Sequence, residues 1–234
     1  MNMKMQNDAE CVYRKSNKDD SVLKDATNME ECNNTFANIK KKGFRLPTEA
    51  EWEYVARYQG TSYDSIEKIN SEPYGSVYLT RLNSASATKK PVGFEGLTMP
   101  EGESWASLGE ELKRVAVCNK WYDGNFDADF DPPIIEPLYV ASKDANALGI
   151  FDMSGNVYEW RFDYYNQDPT VNDATYRKEG IVHDPQGATD GKERVAKSSS
   201  WFTLGSNCCI GYRMYWEANY KNTSVGIRLA VGLN

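Results

Sequence analysis

Trp52, Val55 and Ala56 stand at i, i+3 and i+4 in an otherwise polar stretch, the spacing of one buried helical stripe. Thr48 sits where the N-cap belongs, and Glu51 three residues on completes a capping box. Glu49, Glu51 and Glu53 put negative charge at the positive end of the helix dipole. The pattern predicts a helix over 48–57, ended at Gly60 in the left-handed conformation. Further on, Val157, Tyr158, Glu159 and Trp160 alternate as a strand does, entered through a turn at Ser154-Gly155-Asn156. Val225 to Val231 predicts a buried final strand. Weaker patterning suggests a helical piece within Asp8–Lys15, loop from Ser16 to Asn38 and a short helix within Glu101–Val117.

From Trp201 to Tyr220 the pattern changes. Trp201, Phe202, Tyr212, Tyr215, Trp216 and Tyr220 follow neither period 2 nor period 3.6, so they are expected on loops rather than along a core stripe. Trp201 is expected in the core and the Met214-Tyr215-Trp216-Glu217 group exposed. Aromatic anchors interleaved with Ser, Thr and Asn have the character of a binding loop.

Composition narrows the function classes. The 234 residues are 40% hydrophobic, 26% charged and 12% aromatic, enough for a packed core in one large domain or two small ones. Sparse long helices and scattered Gly, Pro, Asn and Asp suit a loop-rich α+β domain fixed by aromatic packing. The net charge of −7 argues against a nucleic-acid binder that works by neutralising phosphates. Mean hydropathy is −0.67, and no apolar run is long enough for a transmembrane segment. The first residues carry no apolar signal-peptide stretch.

Five cysteines without a Cys-x-x-Cys pair, together with a single histidine, His183, leave no set of four clustered zinc ligands. His183 lies in Val182-His183-Asp184-Pro185 and reads as a surface turn rather than a catalytic base. Asp123, Asn125, Asp127, Asp129 and Asp131 place oxygen side chains at alternate positions, as a calcium loop does. Ala128 stands where an EF-hand needs Gly, and Pro132-Pro133 interrupts the remainder, so a solvated loop is expected.

Three segments then carry a resemblance. Arg45-Leu46-Pro47-Thr48-Glu49-Ala50-Glu51-Trp52-Glu53-Tyr54-Val55-Ala56-Arg57, Gly149 to Trp160, and Lys197 to Trp201 with the closing Gly226-Ile227-Arg228 resemble, in this order, the motifs of the formylglycine-generating enzyme (sulfatase-modifying factor) family. The likeness spans about residues 43–231, within a chain expected to form a single domain over 1–234. It implies a C-type lectin-like fold of the formylglycine-generating-enzyme type, α+β and rich in irregular structure. It also implies a structural calcium, held by the Asp152 and Glu159 carboxylates with the carbonyls of Gly155 and Val157; these are hard oxygen donors on a tight turn.

The family's oxidase holds copper with two cysteines, at places that here carry Thr203 and Cys208. One thiol cannot supply the two-sulfur site that Cu(I) prefers, so neither copper nor the oxidase activity is expected. The C-terminal part is further similar to the variable proteins of diversity-generating retroelements, a subset of the family. In that register Trp201, Cys208, Arg213 and Gly226 are fixed positions. Phe202, Thr203, Leu204, Ser206, Asn207, Tyr212, Met214, Tyr215, Trp216, Glu217, Tyr220, Asn222, Thr223 and Ser224 are diversified ones. Ser198-Ser199 and Ile227 replace the family's Gly-Gly and Phe. The resemblance therefore implies a non-enzymatic protein that binds a protein or other surface ligand through these fourteen side chains, on the cell surface or secreted.

Overall fold

The computed structural model describes residues 7–232 except 17, 25–26, 59–67, 72–74, 79–89, 168–176, 179–180, 183–184 and 189–190, with the backbone alone for 29, 68–71, 75–78, 177–178 and 181–182. His183 and Gly60 lie outside the described residues.

Regular elements are short and many. The N-terminal part holds β1 (Tyr13–Arg14), α1 (Met29–Asn33), β2 (Phe36–Ala37), β3 (Phe44–Arg45) and α2 (Glu49–Arg57). The middle holds β4 (Lys68–Ser71), β5 (Gly75–Tyr78), α3 (Trp105–Val115), β6 (Ala116–Val117), β7 (Lys120–Tyr122) and β8 (Asp127–Asp129). Then come β9 (Ser154–Gly155), β10 (Tyr158–Tyr164), β11 (Arg177–Lys178), β12 (Ile181–Val182), β13 (Glu193–Lys197), β14 (Met214–Glu217), β15 (Val225–Gly226) and β16 (Ala230–Val231). Among the described residues no helix is long and apolar enough to cross a membrane.

The expected helix α2 forms with its capping box: Glu51 N–H donates to Thr48 Oγ1 at 3.2 Å, and Thr48 N–H to Glu51 Oε2 at 2.9 Å. Trp52 and Ala56 are buried, and Val55 packs against the same cluster with Met153 and Ile210. Helix α3 starts later than the patterned span, because Ser104 and Ser107 cap each other reciprocally. Three expectations fail locally. Asp8–Lys15 gives only a 3-10 turn at Asp8–Glu10 before β1. Ser16–Asn38 is not all loop, since Asn28 caps α1 by accepting from Glu30 and Glu31 N–H, and β2 then pairs with β1. The final strand is two short pieces, β15 and β16, whose partners differ; Ile227 between them is 60% exposed. The aspartates of 123–131 shape a β7–β8 hairpin, with Asp123 Oδ1 accepting from Asn125 and Phe126 N–H.

One sheet of four strands, ordered β14-β13-β10-β15, organises the C-terminal half. Strand β10 is antiparallel to β13 and parallel to β15. Glu159 is thereby opposite Lys197 on one side and Gly226 on the other. The second motif is sandwiched between the two ends of the third, which are distant in the chain.

Candidate functional site

The three motifs meet at Trp52. Its indole N–H donates to Glu159 Oε2 at 3.0 Å. Arg161 and Lys197, both with fully buried side chains, lie over the ring at 5.5 and 5.3 Å. Buried cations persist only when paired, and each has a carboxylate. Arg161 Nη2 donates to Glu159 Oε2. Lys197 Nζ donates to Glu53 Oε1 at 3.0 Å and to the Ile210 carbonyl at 2.8 Å. Arg228 grips the far side of Glu159, Nη2 to Oε1 at 2.6 Å and Nε to both oxygens at 3.0 Å. Arg213 Nε reaches Glu49 at 2.7 Å. Burial alone would push the Glu53 carboxyl up, but Lys197 and Arg57 outweigh it and the pKa is lowered. Burial pulls the Arg161 guanidinium down from its usual range.

This network fixes both ends of the 197–228 segment on α2 and β10. At the start of that segment, and where 141–156 packs against it, the backbone is strained. Among the described residues, the non-glycine positions with positive φ are Ala141, Asp152, Asn156, Ser198 and Ser199. They gather at one junction: Ala141 N–H donates to Asp152 Oδ2 at 2.8 Å, and Ser198 Oγ to the carbonyls of Gly155 at 3.0 Å and Asp152 at 3.3 Å. Asn156 clamps Leu138 through both its N–H and its carbonyl, and its own carbonyl accepts from Trp201 N–H at 2.9 Å. The left-handed region costs a non-glycine residue about 1–2 kcal/mol. At Ser198 and Ser199, where the resemblance expects glycines, side-chain hydrogen bonds hold the backbone there instead; Ser199 Oγ pairs with Thr203 Oγ1. Strain of this kind concentrates where a loop must be held in one shape.

The fourteen expected recognition residues divide. Phe202, Leu204, Glu217, Tyr220, Asn222 and Thr223 are exposed, Phe202 at 68%. Thr203, Ser206, Asn207, Tyr212, Met214, Tyr215, Trp216 and Ser224 are half-buried, and none of the fourteen is buried. Lys197, Ser198, Ser199 and Ser200, which precede them, and Gly205, Cys208 and Ile210, which lie among them, are buried. The expectation that Met214, Tyr215 and Trp216 stand free on a loop is corrected. They form β14, paired with β13 from Met214–Ala196 to Glu217–Glu193.

Because side chains alternate across a strand, the group splits over two faces. Trp216 stacks on Tyr220 at 4.8 Å and meets Tyr158 and Trp160 edge-on at 5.1 and 5.8 Å. Tyr212 joins Tyr158 at 6.5 Å. Tyr215 instead stacks on Tyr165 at 3.8 Å, with the Arg213 guanidinium over that second ring at 5.0 Å. Burial, with Tyr212 alongside, raises the Tyr158 phenol well above its usual range. Sequence reasoning missed Tyr158, Trp160 and Tyr165 as the floor of these stacks; for Tyr158 and Trp160 the alternation within β10 was the available signal, while Tyr165 follows the strand. Trp201 is half-buried rather than a core residue, edge-on to Phe202 at 5.3 Å.

The expected calcium ligands run from Asp152 through β9 to Glu159 in β10, and the Glu159 carboxylate and Gly155 carbonyl are already taken. Glu159 is 5% exposed and meets two guanidinium groups and an indole N–H. Arg161 and Arg228 supply the positive charge that a divalent ion would bring. The Gly155 carbonyl accepts from Ser198 Oγ. Asp152 Oδ1 alone is buried without a hydrogen-bond partner. Glu159 as it stands does not fit calcium: seating an ion on it requires expelling Arg228. Excess chelator is therefore expected to leave the melting temperature within about 1 °C, since a ligand stabilises only what it binds. A fall on chelation that vanishes in Asp152→Ala would reinstate calcium. The copper pair does not fit either, because Thr203 Oγ1 offers a hydroxyl already bonded to the Ser200 carbonyl at 2.8 Å.

Comparison with known proteins agrees with this frame. The sulfatase-modifying factor enzyme 1-like domain model matches residues 7–233. The formylglycine-generating enzyme of Mus musculus is 26% identical over 192 residues, 82% of this chain and 38% of that protein. The serine/threonine-protein kinase pkn1 of Chlamydia caviae is 30% identical over 144 residues, 59% of this chain and 21% of that protein. This chain therefore spans well under half the length of either relative. Among solved structures, Treponema denticola variable protein 1 superposes with a TM-score of 0.55 at 24% identity, covering 94% of this chain and 62% of that one. That likeness shows the fold, C-type lectin-like with few helices. With its motifs joined around Trp52 and a match running almost end to end, the chain belongs to the sulfatase-modifying factor enzyme 1-like domain family.

Proposed function

We propose that this chain is a non-enzymatic ligand-binding member of its family, whose C-terminal segment displays a retroelement-diversified recognition surface. One observation carries the reading. Across 202–224 none of the fourteen residues assigned as diversified is buried, whereas Gly205, Cys208 and Ile210 between them are, and Ser198–Ser200 just before them are buried too; Cys209, Gly211 and Arg213 are half-buried, and Ala218, Asn219 and Lys221 exposed. That is the division a surface needs if side chains are to change without unfolding the backbone beneath. The stacked Trp216 and Tyr220 and the exposed Phe202 supply area, and Asn222 and Thr223 adaptable hydrogen bonds. The fold likeness to a variable protein is in keeping with this reading. The oxidase reading finds no support at Thr203, and fold alone does not carry an activity.

The test is a displayed library of this chain randomised at the fourteen positions, selected against egg-white lysozyme as an arbitrary protein target. Most members are expected to fold, since substitutions at exposed sites usually change stability by no more than about ±0.5 kcal/mol in either direction, and to yield lysozyme binders. A parallel library randomised at Lys197, Ser198, Gly205 and Ile210 is expected to collapse. If both libraries unfold alike, the surface reading fails. A sulfatase-type peptide incubated with the protein and copper should gain no aldehyde beyond a Cys208→Ala control; product above that control would restore the oxidase.

A further inference from the structure

Two thiols that belong to neither the ion-pair network nor the recognition face lie together in the core. Cys118 follows β6, and Cys208 closes the 3-10 turn Gly205–Cys208. Both are fully buried in one cluster with Val92, Leu112, Val115, Ala116 and Phe130. The chain after Cys118 runs alongside the chain that leads to Cys208. Asn119 N–H donates to the Thr203 carbonyl at 2.8 Å, and Lys120 pairs with Leu204 in a parallel bridge. A Cβ on Gly205 would lie 3.0 Å from the Lys120 carbonyl. Cys118 and Cys208 pack in the same core, close enough for the Cys208 thiol to raise the Cys118 pKa, and Cys118 Sγ donates to the Lys120 carbonyl at 3.7 Å. Both are free thiols here.

We propose that Cys118 and Cys208 are a redox pair, closing to a disulfide when the chain folds in an oxidising medium and so locking the 202–207 loop onto α3 and β7. The oxidant is a low-molecular-weight disulfide such as oxidised glutathione. One protein thiol loses its proton to solvent, and its thiolate attacks a glutathione sulfur, expelling one glutathione thiolate. The second protein thiol, deprotonated in turn, attacks the protein sulfur of the mixed disulfide and expels the other. The protein pair loses two electrons and two protons, and one glutathione disulfide becomes two glutathione thiols.

Burial decides the timing. The neighbouring thiol and burial both push the Cys118 pKa well up, and exchange needs an accessible thiolate. The native reduced protein therefore resists oxidation, and the pair records the medium in which the chain folded. A bond that closes a long loop stabilises chiefly by restricting the unfolded chain. The inference stands independently of the recognition-surface reading, because it concerns the scaffold beneath the loop.

The full chain is unfolded, then refolded in glutathione buffer poised oxidising or reducing. In the oxidising arm we expect mass spectrometry to show the loss of two hydrogens and a peptide map to join the Cys118 and Cys208 peptides. The melting temperature should rise on the order of 10 °C relative to the reducing arm. Cys209→Ala should keep both the link and the shift, and Cys118→Ala should lose both. Five alkylatable thiols in the oxidising arm would overturn the proposal. So would a link to Cys11, Cys32 or Cys209, or a linked chain that melts no higher; each is read on the natural sequence, whatever the variants do.

Discussion

Replacing Glu159 by Ala is expected to cost about 3–5 kcal/mol of folding stability, because it strands a buried guanidinium. Arg161 is fully buried and has Glu159 as its carboxylate partner. Arg228 loses all three of its hydrogen bonds to the Glu159 carboxylate, and the Trp52 indole N–H loses its acceptor. Exposed ion pairs usually contribute under about 1 kcal/mol; here the charge cannot return to water without opening the sheet. A thermal melt should fall by roughly 10 °C for a chain of this size. Lys113→Ala, which breaks the exposed pair with Glu110, should shift it by little. If the two variants melt alike, Glu159 is not the hub that joins β10 to α2 and the C-terminal residues.

Gly155→Ala should be nearly as costly. The residue has φ +75°, and an added Cβ would lie 2.0 Å from the Val117 carbonyl oxygen and 2.7 Å from its carbon. Backbone on both sides prevents yielding, since β9 is paired with β6 at Val117–Gly155 and the Gly155 N–H donates to the Ser198 carbonyl at 2.5 Å. The left-handed conformation adds about 1–2 kcal/mol, and forcing a methyl into packed structure typically about 1–3 kcal/mol more. We expect a total near 3 kcal/mol by denaturant titration, together with loss of any ligand binding, because this junction seats the strained Ser198-Ser199 pair. Gly149→Ala is the contrast: φ is also positive there but no atom lies within 4 Å, so it should show the conformational penalty alone. Equal losses in the two variants would mean that the close approach to Val117 is unimportant.

Much of the scaffold could be read from the chain because it is local. The capping box at Thr48 and the stripe of Trp52 and Ala56 lie within one helical turn or two, and the structure builds them as the spacing requires. The turn before β10 was legible for the same reason: a Gly-Asn step needs left-handed backbone, and both Gly155 and Asn156 have it. Arg228 and Glu159 were each visible as motif residues, yet their meeting was not. They are brought together by a parallel strand pair with nearly seventy residues between them, and no periodicity reports such a pairing. That contact turns an expected metal ligand into half of an ion pair.

The recognition segment shows the same limit from the other side. The amino-acid sequence determined which positions carry aromatic rings and which small polar groups. It could not determine which rings share a face. Met214-Tyr215-Trp216 has no visible period when read among its loop neighbours, but pairing with β13 makes it a strand. Alternation then sends Trp216 toward Tyr158, Trp160 and Tyr220, and Tyr215 toward Tyr165. Cys118 and Cys208 likewise meet only because the turn after Thr203 lies along β7. Capping, turn and stripe are settled by neighbours in sequence, at energies the chain encodes residue by residue. Which carboxylate meets which cation, which ring stacks on which, and which thiols touch are settled by long-range strand pairing, which only the folded chain creates.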